Sequence, residues 1–132
     1  MTTLGSEKPG REMPLEWVGR SRKNLGGFPR EVRLVLGQAL RLAQQGKMHG
    51  RASKMKGHLR DVIEVWADDD TADSTYRVMY TTKIGNVVYV LHAFKKKATA
   101  GVSTPKRELD VLETRLTIAR THFKEHYRHG KP

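Results

Sequence analysis

The hydrophobic positions near the start of the chain follow a helical period. Apolar residues recur at spacings of three and four from Phe28 to Ala43, which predicts one buried stripe of a helix. Pro29 stands where the first residue of that helix is expected, and Gly46 follows its end. A shorter helix is expected just before it, from Arg20 onward. The spacing therefore predicts a pair of helices with one buried face.

The middle of the chain has a different pattern, typical of strands. Residues 59–67, 75–83 and 87–94 are rich in Val, Ile, Tyr, Trp and Thr, the residues that strands prefer. Gly85 and Asn86 separate the last two runs and suit a tight hairpin turn with positive φ. Residues 14–18 could add a short strand, which Pro14 would confine to the edge of the sheet.

A last helix is predicted after the strands. Thr104 suits its N-cap and Pro105 its first position, and apolar residues at 109, 112, 116, 119 and 123 form its stripe. The order of elements gives an α+β fold: a small antiparallel sheet with two N-terminal helices and a C-terminal helix. We expect the helices to cover one face of this sheet and leave the other open to a ligand.

Composition limits the class of protein. One domain is expected over residues 14–128, with a disordered leader at 1–13 and a frayed tail at 129–132. The chain has no cysteine, which excludes disulfides and thiolate metal sites and suits a reducing compartment. It also has no apolar run that would serve as a signal peptide or membrane span. We expect a cytoplasmic protein without a membrane partner.

The charge of the chain points to a polyanionic partner. Lys and Arg number 25 against 14 Asp and Glu, which gives a net charge of +11 on 132 residues. Such an excess attracts nucleic acids, anionic membranes and acidic proteins, and charge alone does not distinguish among them. The glycine-rich stretch 46–57 is predicted to be a loop that presents Lys54 and Lys56, and Arg60 follows it closely.

The predicted hairpin brings candidate chemistry to one end. Pairing across Gly85 and Asn86 places Arg77 opposite Phe94 and diagonal to His92. Strict alternation would put His92 on the same face as Phe94. The basic run Lys95, Lys96 and Lys97 follows at the same end of the hairpin.

These residue types suit a ribonuclease that attacks with the 2′-hydroxyl of its own substrate. A histidine such as His92 carries protons near neutral pH. The guanidinium of Arg77 can bind two phosphate oxygens, and lysines add positive charge around the phosphorus. This chemistry requires neither a metal nor another cofactor.

Each candidate also has a plainer interpretation. Arg77 fits a strand-surface residue paired with a carboxylate, His92 fits a hydrogen-bonded core histidine, and the lysine run fits a solvated surface. The basic residues near position 54 could serve solubility alone. His122 and His126 have the spacing of two metal ligands on a helix, but the sequence supplies no third ligand beside them. Trp17 and Trp66 are expected in the core.

Four segments in order carry a family resemblance: PLEWVGRSRKNL at 14–25, YRVMY at 76–80, VYVLHAFKKK at 88–97 and TPKRELD at 104–110. Over residues 14–123 the chain resembles RelE/ParE-superfamily toxins of bacterial toxin–antitoxin systems, in their HigB-like, phage-derived branch. The resemblance implies a RelE-like fold with helices on one side of the sheet. It also implies a cognate antitoxin with a helix-turn-helix domain, and a toxin that cuts messenger RNA in the ribosomal A site.

The resemblance assigns roles to particular residues. Arg77 matches a phosphate-binding arginine, and the Lys95–Lys97 run matches a basic group after the last long strand. Basic residues that contact RNA before the first long strand correspond to Lys54, Lys56 and Arg60. Many relatives carry a tyrosine soon after the last basic group, and Tyr127 lies too far along the chain to replace it. Either His92 is then the expected proton carrier, or the site acts mainly by charge and orientation, with the ribosome supplying the alignment.

We therefore expect the toxin of a toxin–antitoxin system, a ribosome-dependent endoribonuclease that cuts translated messenger RNA. A ParE-like inhibitor of DNA gyrase shares the fold and is one alternative. A non-catalytic module that binds nucleic acid or a protein partner is another.

Overall fold

The structure is a computed structural model that describes residues 12–69, 74–97 and 104–127. The predicted leader lies mostly, and the predicted tail wholly, outside these residues. The helices and strands, in chain order, are β1 Leu15–Trp17, α1 Ser21–Gly26, α2 Arg30–Gln44, β2 Ala52–Lys54, a 3₁₀ turn Gly57–Leu59, β3 Val62–Asp68, β4 Ser74–Ile84, β5 Val87–Lys97 and α3 Lys106–His126. The predicted α+β class and the order of helices and long strands are confirmed.

One five-stranded sheet has the order β1-β5-β4-β3-β2. β1 runs parallel to β5 at one edge, as Pro14 led us to expect, and the other neighbours are antiparallel. Gly85 and Asn86 turn the β4–β5 hairpin with φ of 64° and 59°. The hairpin pairs Arg77 with Phe94, which confirms the predicted register at that position.

Helices cover both faces of the sheet, which corrects the expectation that they share one side. The α2 stripe, with Val32, Leu36 and Leu40 at its centre, packs on one face. Leu112 and Leu116 of α3 pack on the other face, against the β5 side of the sheet. The open part of that second face is therefore narrower than predicted and lies over β2, β3 and the start of β4.

Three local differences from the sequence reading have simple causes. Residues 52–54 form the edge strand β2 inside the predicted loop, because the backbone of this short polar segment pairs with β3. Pro29 and Pro105 are N-cap residues with extended ψ of 150° and 149°, so each helix begins one residue later than predicted. The lysine run continues β5 to Lys97 and does not follow it.

Among the residues described, no helix combines the length and the apolar character needed to cross a membrane.

Candidate functional site

A groove lies on the part of the sheet that α3 leaves uncovered. Its volume is about 380 Å³. Polar, charged and aromatic side chains of three adjacent strands line it: Ser53 from β2, Glu64, Trp66 and Asp68 from β3, and Thr75 and Arg77 from β4. We call this the sheet groove.

Strand alternation explains why these residues meet. On β3, Val65 and Ala67 turn into the core under α2, so Glu64 and Trp66 point to the opposite face. On β4, Tyr76 and Val78 belong to the same core and leave Arg77 on the groove side. A single sheet thus separates an apolar face from a strip of functional groups.

Arg77 and Glu64 form the centre of the sheet groove. Nη1 of Arg77 donates a hydrogen bond to Oε2 of Glu64. Both side chains are largely buried, at 12% and 16% exposure. Nearby, the hydroxyl of Thr75 donates to Oδ1 of Asp68 over 3.1 Å. The plainer interpretation of Arg77, a strand arginine paired with a carboxylate, therefore describes one of its contacts.

Lys96 adds a second cation to this face. It lies directly opposite Thr75 in the β4–β5 ladder, so their side chains share the groove side of the sheet. Its pKa is lowered, first by desolvation and then by the charge of Arg77, while Glu64 acts in the opposite direction. The charges of Arg77, Glu64 and Lys96 therefore interact.

The structure separates the predicted lysine cluster. Lys95 lies opposite Tyr76, on the face that carries α1 and α2, with its Nζ 5.8 Å from the centre of the tyrosine ring. Lys96 points to the groove side. The side chain of Lys97 lies outside the described residues. The ladder is regular here, with Tyr76 opposite Lys95 and Thr75 opposite Lys96, so these consecutive lysines face opposite ways and only Lys96 shares the face of Arg77.

A β-bulge changes the predicted faces near His92. Met79 pairs with His92 and Tyr80 pairs with Val90, so Leu91 is the extra residue. Leu91 and His92 consequently lie on the same face, under α3, and strict alternation along this strand was wrong.

His92 is enclosed by α3 and does not line the sheet groove. Its Nε2 lies 2.6 Å from Oε1 of Glu108, and Nη1 of Arg115 lies 3.3 Å from its Nδ1. The arginine can only donate, so Nδ1 accepts and the imidazole proton belongs on Nε2, where it donates to Glu108. The side chain is 8% exposed. This is the environment of a hydrogen-bonded core histidine.

Burial governs the protonation of His92. Desolvation lowers its pKa from 6.5 and outweighs the opposing effect of the hydrogen bond to Glu108; Arg115 lowers it further. The neutral form is therefore favoured, in agreement with the hydrogen-bond pattern.

The predicted RNA-binding residues Lys54, Lys56 and Arg60 are exposed at the end of β2 and beside the 3₁₀ turn that follows it. Lys54 is exposed and pairs with Ile63, which packs against the core under α2, so it stands on the face opposite the sheet groove. Lys56 and Arg60 are exposed at either end of the 3₁₀ turn, where Nη1 of Arg60 donates to the carbonyl of Gly57. Their contact with RNA stays a prediction.

Of the residues that line the sheet groove, only Arg77 was predicted as a site residue, and the two most informative ones that were missed are Trp66 and Glu64. Trp66 was expected in the core but lines the groove, whereas Trp17 does pack against the core. Glu64 was not singled out. A signal was present, because Glu64 and Trp66 share strand parity while Ile63, Val65 and Ala67 form the apolar alternate. The sequence did not show that Arg77 of β4 pairs with Trp66 of β3 and contacts Glu64.

His122 and His126, the two histidines with the spacing of metal ligands, belong to a polar cluster at the end of α3. The rings of His122 and His126 stack at 4.3 Å between centres. Nδ1 of His122 lies 2.9 Å from the hydroxyl of Tyr89, and the hydroxyl of Tyr127 donates to Glu16. Among the described residues, no group of three or more His, Cys, Asp or Glu side chains has metal-binding geometry.

A family model for phage derived protein Gp49-like (DUF891) matches residues 23–117. The chain belongs to this Gp49-like family. The match runs from α1 into α3 and includes every strand that lines the sheet groove. No curated protein and no solved structure was found to match the chain.

Proposed function

We propose that this Gp49-like protein is the toxin of a toxin–antitoxin system and that it is an endoribonuclease acting on translated messenger RNA. The observation that carries the proposal is the sheet groove, where the Arg77–Glu64 pair lies beside the indole of Trp66 and Lys96, opposite Thr75, interacts with both charges. By their chemistry these groups can serve as a phosphate ligand, a proton acceptor and a proton donor. Membership of the Gp49-like family, which is related to HigB and RelE toxins, supports the same conclusion.

In the proposed reaction, the 2′-oxygen of a nucleotide attacks its own 3′-phosphate. The carboxylate of Glu64 takes the proton of the 2′-hydroxyl as the bond from O2′ to phosphorus forms. The bond from phosphorus to O5′ of the next nucleotide breaks, and the ammonium group of Lys96 protonates that oxygen. The products carry a 2′,3′-cyclic phosphate and a 5′-hydroxyl.

Arg77 and Trp66 position the substrate in this scheme. An arginine has five N–H donors in a planar fork, so a guanidinium that contacts Glu64 can also bind phosphate oxygens. It would stabilise the negative charge that builds on them in the transition state. The indole of Trp66 offers a surface on which a base adjoining the cleaved bond can stack. Lys96 is suited to donate a proton because its lowered pKa lies closer to neutral pH.

The proposal includes the partners and the RNA contacts that the sequence predicts. A helix-turn-helix antitoxin and the ribosome remain the expected partners, and Lys54, Lys56 and Arg60 the expected RNA contacts. Lys95 and His92 are not used in the proposed chemistry, because Lys95 lies on the other face and His92 is enclosed by α3.

The test is expression of Arg77→Ala, Lys96→Ala and wild type in bacteria. Wild type should arrest growth and produce new 5′ ends within reading frames, measured by primer extension on cellular messages. Each variant should lower cleavage by about 10²–10³-fold, the usual effect of losing one group that stabilises transition-state charge. Arg120→Ala removes an exposed arginine of α3 and is the matched control, expected to cut like wild type.

Other outcomes would contradict the proposal. Full toxicity of both Arg77→Ala and Lys96→Ala would show that the sheet groove is not the site. Intact messages together with relaxed or damaged DNA would indicate gyrase inhibition instead. An absence of both effects would leave a binding module.

A further inference from the structure

A second cleft, lined by basic residues, lies on the opposite face of the sheet from the sheet groove, between α1 and the end of β5. Its volume is about 560 Å³. Arg20 and Lys23 stand on one wall, Lys95 stands on the other, and Phe28 and Tyr76 form an aromatic floor. We call this the α1 cleft.

The charge of the α1 cleft is of one sign. Arg20, Lys23 and Lys95 line it, and no acidic side chain is among its lining residues. Within the described part of the chain, none of these three cations forms an ion pair. The sheet groove differs, since Glu64 and Asp68 offset its cations. The α1 cleft is thus the more favourable of the two surfaces for an anion.

Hydrogen bonds hold the walls of the cleft in place. Oγ of Ser21 donates to the carbonyl of Val90 over 3.0 Å, and Nδ2 of Asn24 donates to the carbonyl of Ala93 over 3.1 Å. These bonds fix α1 against β5, so the backbone segments that carry the opposing cations are held in place before a ligand arrives. A preformed site loses less conformational entropy on binding.

The floor indicates what kind of anion fits. The rings of Phe28 and Tyr76 lie 4.8 Å apart between centres, and Lys95 stands over the tyrosine. Tyr76 is buried, but Phe28 is only partly covered and presents ring surface to the cleft. Cations on two walls with an aromatic ring between them suit a single-stranded nucleic acid, whose phosphates and bases alternate.

We propose that the α1 cleft binds backbone phosphates of a single RNA strand, on the far side of β5 from the sheet groove. This rests on the proposed function, because the strand in question is the one whose cleaved phosphate meets Arg77. Lys95 and Lys96 are consecutive and face opposite ways, so an RNA that passes around the end of β5 contacts one lysine on each side. Lys95 would then contact the RNA strand in the α1 cleft, and Lys96 would contact the same strand on the side of the sheet groove.

The experiment measures binding of a short labelled single-stranded RNA to the full chain carrying Arg77→Ala, which is expected to slow cleavage by about 10²–10³-fold. The slope of log Kd against log salt is compared with that of the same protein carrying Arg20→Gln and Lys23→Gln. Each phosphate contact at a single strand contributes about 0.7 to the slope, so losing two should lower it by about 1.4. Arg22→Gln with Arg30→Gln removes two exposed charges outside the cleft and should change the slope by less than half as much.

Two results would overturn the proposal. One is an equal slope for the cleft variant and the control variant. The other is an oligoglutamate peptide that binds through Arg20 and Lys23 while RNA does not, which would assign the cleft to an acidic polypeptide. The outcome is separate from cleavage: a lowered slope without messenger cutting would retain the cleft and reject the nuclease, and cutting with an unchanged slope would do the reverse.

Discussion

At the residue scale, the enclosed position of His92 makes stability depend on pH. Its pKa is lowered in the folded protein by burial, so the unfolded chain takes up a proton at a higher pH than the folded one. The stability that neutral His92 contributes is present above its ordinary pKa of 6.5 and is lost as pH falls below that value.

We expect the free energy of unfolding of wild type to fall more steeply than that of His92→Gln as pH is lowered from about 7.5 to 5.5. The measurement is urea unfolding of both proteins across that range. Above about pH 7.5 the difference between them should be constant, which is the internal control. A difference that does not vary with pH at all would show that His92 titrates alike in both states.

The same variant tests the predicted catalytic role of His92. A glutamine can still donate a hydrogen bond to Glu108 but cannot carry a proton. Since the proposed reaction uses Glu64 and Lys96, we expect His92→Gln to remain toxic when folded. Loss of messenger cleavage by a folded His92→Gln protein would restore His92 as the proton carrier.

At the element scale, the hairpin turn is the place where α3 meets the sheet. Gly85 has φ of +64°, and a Cβ built on it would stand 2.0 Å from Cε1 of Phe123. The glycine is therefore required twice, once for the turn and once for the close approach of the helix. A substitution at Gly85 therefore combines the cost of the turn conformation with the cost of displacing Phe123 of α3.

Three glycine substitutions separate these effects. Gly37→Ala lies within α2 with nothing nearby and should stabilise the protein by about 0.5–1 kcal/mol. Gly46→Ala meets no atoms but has φ of +79°, so it should cost about 1–2 kcal/mol. Gly85→Ala should cost more than Gly46→Ala because it also displaces Phe123.

Denaturant unfolding measures all three variants. The extra cost of Gly85→Ala should shrink when it is combined with Phe123→Ala, because the colliding ring is then absent. Equal costs for Gly46→Ala and Gly85→Ala would show that α3 does not press on the turn.

At the scale of the whole molecule, the end of α3 is tied to the first strand. The hydroxyl of Tyr127 donates to Glu16 of β1, and Tyr89 of β5 contacts His122. Burial, with the charge of Glu16, raises the pKa of Tyr89 to about 12. Burial and the hydrogen bond to Glu16 raise the pKa of Tyr127 to about 12 as well. The two ends of the described chain thus share one polar cluster.

This cluster predicts a loss of stability in alkali. Both pKa values are raised on folding, so the contribution of each tyrosine is complete below pH 10 and is lost as pH rises toward about 12. We expect Tyr127→Phe to lose less stability than wild type over that interval, measured by unfolding at several pH values. Burial also raises the pKa of Tyr80, outside the cluster, so part of the wild-type loss should remain in Tyr127→Phe. An identical alkaline loss in wild type and Tyr127→Phe would mean that folding does not raise the pKa of Tyr127.

Local sequence determined most of the fold. Spacings of three and four mark α2 and α3, and β-branched runs around Gly85 and Asn86 mark the β4–β5 hairpin with Arg77 opposite Phe94. These features depend on periodicity and turn conformation, which involve residues close together in the chain. For the same reason the sequence could assign Lys95 and Lys96 to one end of the hairpin.

Only the tertiary structure decided which candidate residues lie in the sheet groove, which lie in the α1 cleft and which lie under α3. Which face α3 covers, where the bulge at Leu91 falls and that Glu64 meets Arg77 all depend on contacts between distant segments. A bulge shifts every later side chain to the other face, and no local pattern marks it. The sequence therefore determined that positive charge gathers at the end of the hairpin, and the packed sheet decided that it forms two surfaces, because neighbouring strand residues point opposite ways.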